Sequence, residues 1–227
     1  ISAALFTVVA FLAQRHALPG RDGDEQAIAS PGDVAEETRR GVNWRIVAVL
    51  AALSLICIGG SVVEDLGTSW ASLYLQTLGA PAALAAFGFV ALVGAQFVGR
   101  ILGDWFVNRW GERTVARTGG LLIAVGMGLA LAFPTIPGTV AGFAAAGLGC
   151  ATLVPAAMHA ADNIRGLKAG TGLTIVSWLL RVGFLVSPPI VGTIADNVSL
   201  RMGLLIVPAA GLAVALLASV LEGRKSN

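Results

Sequence analysis

The chain has 227 residues, of which 56% are hydrophobic and 12% charged, and its formal net charge is +2. A mean hydropathy of +0.81 excludes an ordinary soluble domain, in which about a quarter of the residues carry charge. Beyond the arginines that flank its apolar runs, the sequence has no basic and aromatic surface suited to nucleic acid.

The chain opens on a short apolar piece, Ile1 to Ala13. It has no initiator Met, no basic start and no cleavage site, so it does not read as a signal peptide. Residues 1–14 read instead as the tail of a transmembrane helix whose start is missing. Residues 15–44 are the only long polar stretch, rich in Gly, Pro, Asp, Glu and Arg. Such a composition predicts a flexible linker, with Glu36 to Arg40 as a solvated charge run rather than a surface helix. From residue 45 to 221 the sequence predicts six apolar spans, each near the ~20 residues that cross a bilayer. They fall at about 45–67, 82–103, 116–133, 138–160, 170–194 and 202–221. Residues 222–227 form a polar tail.

The first span carries a polar stripe at helical spacing: Ser54, Cys57, Ser61, Glu64 and Thr68. Glu64, with Asp65 beside it, is expected in the outer part of the span. A partly buried carboxylate can take up and release protons, which makes Glu64 and Asp65 candidates for proton coupling. The plainer alternative is that both mark the wet outer end of the helix. In the second span Gln96 shares a face with Gly88, Leu92 and Gly99. The stretch from Gly99 to Arg113 then concentrates charges and three glycines between two apolar runs. Inside a membrane those charges would be prohibitive, so a tight loop at the membrane face is expected.

Thr152, His159 and Asp162 lie on one side of the fourth span. His159 and Asp162 are spaced to pair, and they read as boundary polar residues rather than a metal site. Pro155 and Pro188-Pro189 should bend or break their helices, because proline removes a backbone donor. Arg181 sits near the middle of the fifth span, where a charge costs at least about 2.5–3.5 kcal/mol. Helical spacing puts Thr174, Ser177, Trp178 and Arg181 on one face, a polar stripe that suggests a water-filled cavity. Arg181 would there bind an anionic group of a substrate or pair with a carboxylate. Many of the 29 glycines fall inside spans, where small residues let helices pack closely. Cys57 and Cys150 read as small packing residues, with neither disulfide nor metal implied.

If the spans alternate, all of the 15 basic residues except Arg181 and Arg201 fall on one side. The positive-inside rule makes that side cytoplasmic, with linker and C-terminus there. Trp44, Trp105 and Trp110 are expected at the cytoplasmic boundary, and Trp70 and Tyr74 at the outer one. No P-loop and no nucleophile–base pair occurs within the spans, so neither ATP-driven transport nor an enzyme is expected, and no cofactor or metal is called for.

The pattern from Gly99, G-x-x-x-G-D-x-x-x-x-R-x-G-x-R, resembles the loop signature of the major facilitator superfamily. Residues Ser69 to Leu75, followed by that signature, are similar to a branch that includes MosC-like proteins and sugar permeases. The resemblance implies an all-α integral membrane fold: the six-helix C-terminal half of a twelve-helix transporter, built as two inverted three-helix repeats. Residues 1–14 would be the end of helix six and residues 15–44 the linker between halves. It implies that Gly99, Gly103, Asp104, Arg109, Gly111 and Arg113 form a gating loop that locks the cytoplasmic side. Trp105 departs from the basic residue often found there. It further implies that Arg181, Ser177, Trp178, Thr174, Gln96 and Ser61 are candidates for the substrate cavity. The implied activity is secondary transport of a small organic solute across a bacterial inner membrane by alternating access. The lipid bilayer, the missing N-terminal half, the solute and coupling protons would be the partners. The alternative is a non-transporting membrane receptor or assembly protein on the same fold, which would lack a solvent-accessible cavity.

Overall fold

A computed structural model describes residues 44–164, 167 and 170–221. The expected helix-six tail, the linker and the polar tail lie outside the described residues. The chain divides into two units, and everything below concerns the second, which begins at Trp44. It is all-α: among the described residues there is no strand. Six helical stretches are long and apolar enough to cross a membrane, which is an integral membrane architecture.

Helix α1 spans Trp44–Thr77 and α2 spans Ala82–Trp110. Helix α3 spans Glu112–Ala132. The fourth stretch is two helices, α4 (Ile136–Cys150) and α5 (Leu153–Asp162). Helix α6 spans Thr171–Asn197. The last stretch comprises α7 (Leu200–Gly203), α8 (Ile206–Leu217) and a 3₁₀ turn at Ala218–Val220.

The spans occur where hydropathy places them, and their ends differ for identifiable reasons. Helix α1 runs ten residues past the expected Gly67 end, to Thr77. Thr68 and Thr77 hydroxyls bond back to the carbonyls of Asp65 and Tyr74, so polar residues here extend the helix rather than end it. Ala71, Tyr74 and Leu75 are buried in this extension. Tyr74 is therefore a core residue, its hydroxyl without a hydrogen-bond partner among the described residues, and not a member of an outer aromatic belt. The fourth stretch breaks at Ala151-Thr152, four residues before Pro155. Pro155 offers no N–H to the Ala151 carbonyl, and its ring crowds that turn. The same logic explains a break that the sequence reading overlooked: Pro208 follows the Leu204-Leu205 interruption by four residues. In contrast, α6 runs without a break through Pro188 and Pro189.

Helix α1 is the hub, packed against α2, α6, α8, α5 and α4. Helix α3 joins α4 to α8. Small residues make these contacts possible. A side chain at Gly147 would collide with the backbone of Leu92, where α4 meets α2, and Gly119 and Gly149 abut backbone to backbone between α3 and α4. Lipid supplies no hydrophobic drive between helices, so such close approach is what holds them together. Burial is uneven. Within their most apolar windows, α1 is 61% buried and α6 only 17%, so α6 presents most of its surface away from the other five stretches.

Candidate functional site

The expected loop at Gly99–Arg113 is helix through Trp110. Gly111 alone separates α2 from α3, at φ 83° and ψ 154°, a conformation essentially reserved for glycine. Its N–H donates to the Val107 carbonyl and its own carbonyl accepts from Val115 N–H. The charges that suggested a loop instead project from the last turns of α2 and the first of α3. Along these turns Gly99 abuts Ala151 and Gly103 abuts Thr152, so α2 packs against the break between α4 and α5.

Around this junction lies a groove of about 350 Å³, lined by Arg100, Asp104, Glu112, Thr152, Pro155 and His159 among others. Asp104 is exposed on its rim and faces the N-terminal turn of α5. Among the described residues no hydrogen bond joins it to that turn. Glu112 Oε1 lies 3.0 Å from His159 Nδ1 and ties the start of α3 to α5. His159 therefore meets Glu112 and not Asp162, whose carboxylate accepts the Gly170 N–H at 3.2 Å. Arg113 donates to the Ser219 carbonyl, closing the C-terminal end of the last stretch onto α3. Cations at helix C-termini are favoured by the free carbonyls there. Arg109 lies over the Trp105 ring at 5.9 Å, and Phe106 stacks on Trp110 at 5.2 Å. At the opposite end Arg201 donates to the Ala132 carbonyl at the end of α3, an interaction without a sequence signal.

A second polar group joins α1 and α2. Gln96 Nε2 donates to Glu64 Oε2 at 2.7 Å, and Arg100 reaches the same oxygen at 3.4 Å. The face of Gly88, Leu92, Gln96 and Gly99 is the packed face of α2, with Gln96 only 4% exposed. Gln96 thus serves the α1–α2 contact rather than opening onto a cavity. Ser61 is buried as well, as are Ser54 and Cys57 of its stripe. Ser54 bonds to the Leu50 carbonyl at 2.7 Å, and Cys57 Sγ to the Val154 carbonyl at 3.8 Å. Those three residues of the stripe are packing surface, whereas Glu64 is half-buried and Thr68 exposed. The lengthened α1 also moves Glu64 and Asp65 away from a helix end: thirteen or twelve residues, about 20 Å, still follow them. Asp65 Oδ2 is buried without a hydrogen-bond partner among the described residues. Both cysteines are free and buried, and among the described residues no cluster could hold a metal.

The α6 stripe is the reverse case. Gly172, Val176, Ser187 and Val191 form the buried side of α6, and Gly183 abuts Ile58 of α1. Thr174, Trp178 and Arg181 are exposed on the other side and Ser177 is half-buried. Arg181 lies over the Trp178 ring at 5.9 Å. Among the described residues neither ion pair includes it. The eleventh of 27 residues, it stands about 15 Å along the helix from its start. An unneutralised cation at that depth is costly against lipid. A polar stripe there is at home against water, solute or protein.

Residues 66–226 match the model of the Major Facilitator Superfamily. The chain is 35% identical over 177 residues to membrane protein MosC of Rhizobium meliloti, a match covering 78% of this chain and 42% of that protein. It is 30% identical over 174 residues to the uncharacterised transporter y4wD of Sinorhizobium fredii, covering 76% of this chain and 46% of the relative. An uncharacterised MFS-type transporter of Yersinia pestis is 28% identical over 151 residues, with 66% and 39% covered. The chain thus spans less than half the length of each of these relatives. No solved structure matches.

Proposed function

The chain belongs to the Major Facilitator Superfamily, and from that premise we propose that it forms the C-terminal six-helix half of a secondary transporter. That transporter moves a small organic solute across a bacterial inner membrane, with the linker and C-terminus on the cytoplasmic side. This half rocks against an N-terminal half around a cavity near the bilayer midplane. The observation that carries the reading is the α6 stripe of Thr174, Ser177, Trp178 and Arg181. It is polar, it lies deep in a span, and the other stretches leave it uncovered. A face of this kind is unstable against lipid and is served by a water-filled cavity between halves.

The α2–α3 junction is the gate in this mechanism. Arg113 on the Ser219 carbonyl and Glu112 on His159 draw three stretches together at one end. Asp104, Arg109 and the Gly111 link stand where a second half can be gripped and released. Gly99 and Gly103 let α2 slide against α4 and α5. Of the two coupling candidates, Asp65 is the better placed. Glu64 is held by Gln96 and Arg100, whereas Asp65 has a buried oxygen without a partner among the described residues.

The test is solvent access in the full-length protein. A cysteine at Ser177 should react with a membrane-impermeant thiol reagent, and labelling should change when the pH gradient is imposed. A Ser177→Cys protein inert from both sides of the membrane would overturn the cavity, and with it alternating access. For coupling, Asp65→Asn should abolish uptake driven by a pH gradient in proteoliposomes and retain solute exchange. Full gradient-driven uptake by that variant removes Asp65 from the mechanism.

A further inference from the structure

Two features of α6 narrow the chemistry of what this face holds, on the transporter reading above. The first is the charge inventory. Glu64 is engaged by Gln96 and Arg100, and Asp162 by the Gly170 N–H. Asp104 and Glu112 lie at the α2–α3 groove. None of these carboxylates meets Arg181. Among the described residues the guanidinium meets the Trp178 ring, which orients its planar fork without neutralising it. Asp65 and Asp196 form no ion pair with it either, so among the described residues no anion neutralises Arg181.

The second feature is Pro188-Pro189, inside a helix that stays unbroken. Neither proline has an N–H, so the carbonyls of Phe184 and Leu185 lose the donors a regular helix would give them. Residues 181 and 185 share a helix face, with 184 just beside it. Both Phe184 and Leu185 are exposed, Leu185 at 77%. Two backbone carbonyls beside the Arg181 face thus lack their regular helix donors, about 5–6 Å further along the axis. In a span, a carbonyl that has lost its helix donor costs several kcal/mol unless another group donates to it.

We infer that the Arg181 face of α6 binds a small acidic solute that also carries a hydrogen-bond donor, such as a sugar acid. A carboxylate on the fork of Arg181 forms charge-assisted bonds that a hydroxyl cannot equal. A hydroxyl or amino group one helical turn away fills the Phe184 and Leu185 carbonyls. A neutral sugar leaves Arg181 without an anion, and an amino sugar is repelled by it. A carboxylate from elsewhere in the transporter would neutralise Arg181 yet leave both carbonyls without donors. The acidic solute answers both needs at once.

The experiment uses the full-length protein in detergent, with glucuronate, glucose and glucosamine as probes, read by calorimetry and thermal shift. Glucuronate should bind, with glucose and glucosamine at least about tenfold weaker. Arg181→Gln should weaken glucuronate by about ten- to a hundredfold, the scale of a charged hydrogen bond. A Pro188→Ala, Pro189→Ala double variant restores both N–H donors and should weaken glucuronate severalfold with Arg181 intact. Equal or tighter binding of glucose or glucosamine overturns the inference. So does unchanged glucuronate affinity in Arg181→Gln, the pattern expected if a carboxylate of the rest of the protein occupies the arginine. No glucuronate binding, with Ser177→Cys still labelled from water, overturns the substrate class and leaves the transporter reading standing. An unlabelled Ser177→Cys removes both.

Discussion

Replacing Gly111 by alanine isolates one backbone torsion at the α2–α3 junction. Gly111 is the whole connection between helices of 29 and 21 residues, at φ 83° and ψ 154°. Its N–H bonds to Val107 O at 2.8 Å, and its carbonyl accepts from Val115 N at 3.2 Å. The chain cannot leave that conformation without losing both bonds. Holding alanine there costs about 1–3 kcal/mol of strain. Alanine also narrows the unfolded ensemble, which offsets about 0.4–1 kcal/mol. The net loss is about 1–2 kcal/mol, a five- to thirtyfold change in the folding equilibrium. Gly128 is the matched control. It lies in α3, and a Cβ there meets nothing within 4 Å. Alanine at a helical glycine gains up to about 1 kcal/mol. Equilibrium denaturation of the full-length protein in mixed micelles should therefore separate Gly111→Ala from Gly128→Ala by about 2–3 kcal/mol. Equal stability of the two variants would refute the single-residue link.

Three further outcomes follow from the packing. Glu64→Leu leaves the buried Gln96 amide without its acceptor and should lose about 1–3 kcal/mol, most of it regained in a Glu64→Leu, Gln96→Leu double variant. Additive losses in that cycle would show that the 2.7 Å bond is not formed. Gly147→Leu should abolish folded protein, because the added side chain has only the Leu92 backbone to enter, while Gly94→Ala, with nothing within 4 Å, should leave the yield unchanged. Normal size-exclusion behaviour of Gly147→Leu would contradict the α2–α4 contact. Cys57 and Cys150, both buried, should resist a membrane-impermeant maleimide in the native protein and react once it is unfolded in dodecyl sulfate.

Much of this protein is legible in its sequence. Six apolar runs of bilayer length are enough to determine an all-α membrane fold, because lipid leaves the backbone no other way to satisfy its N–H and C=O groups. The Gly99–Arg113 spacing identified the family that the match over residues 66–226 establishes. The exposed side of α6 was also legible, since Thr174, Ser177, Trp178 and Arg181 repeat at helical spacing and their polarity is unusual in a span.

What hydropathy does not carry is direction. Ser61 and Gln96 looked like cavity walls, and packing turned both inward. A polar stripe reads the same whether water or a neighbouring helix covers it. Charge near Gly99–Arg113 suggested a loop, yet α2 stays helical to Trp110, because long charged side chains reach past a helix end without unwinding it. His159 pairs with Glu112, distant in sequence, and not with nearby Asp162. The sequence alone determined which segments enter the membrane, since that depends on transfer free energies summed along the chain. Only the tertiary structure decided which face of each helix is covered and which partner each buried polar group finds. Those depend on where glycines such as Gly147 and Gly149 let one backbone settle against another.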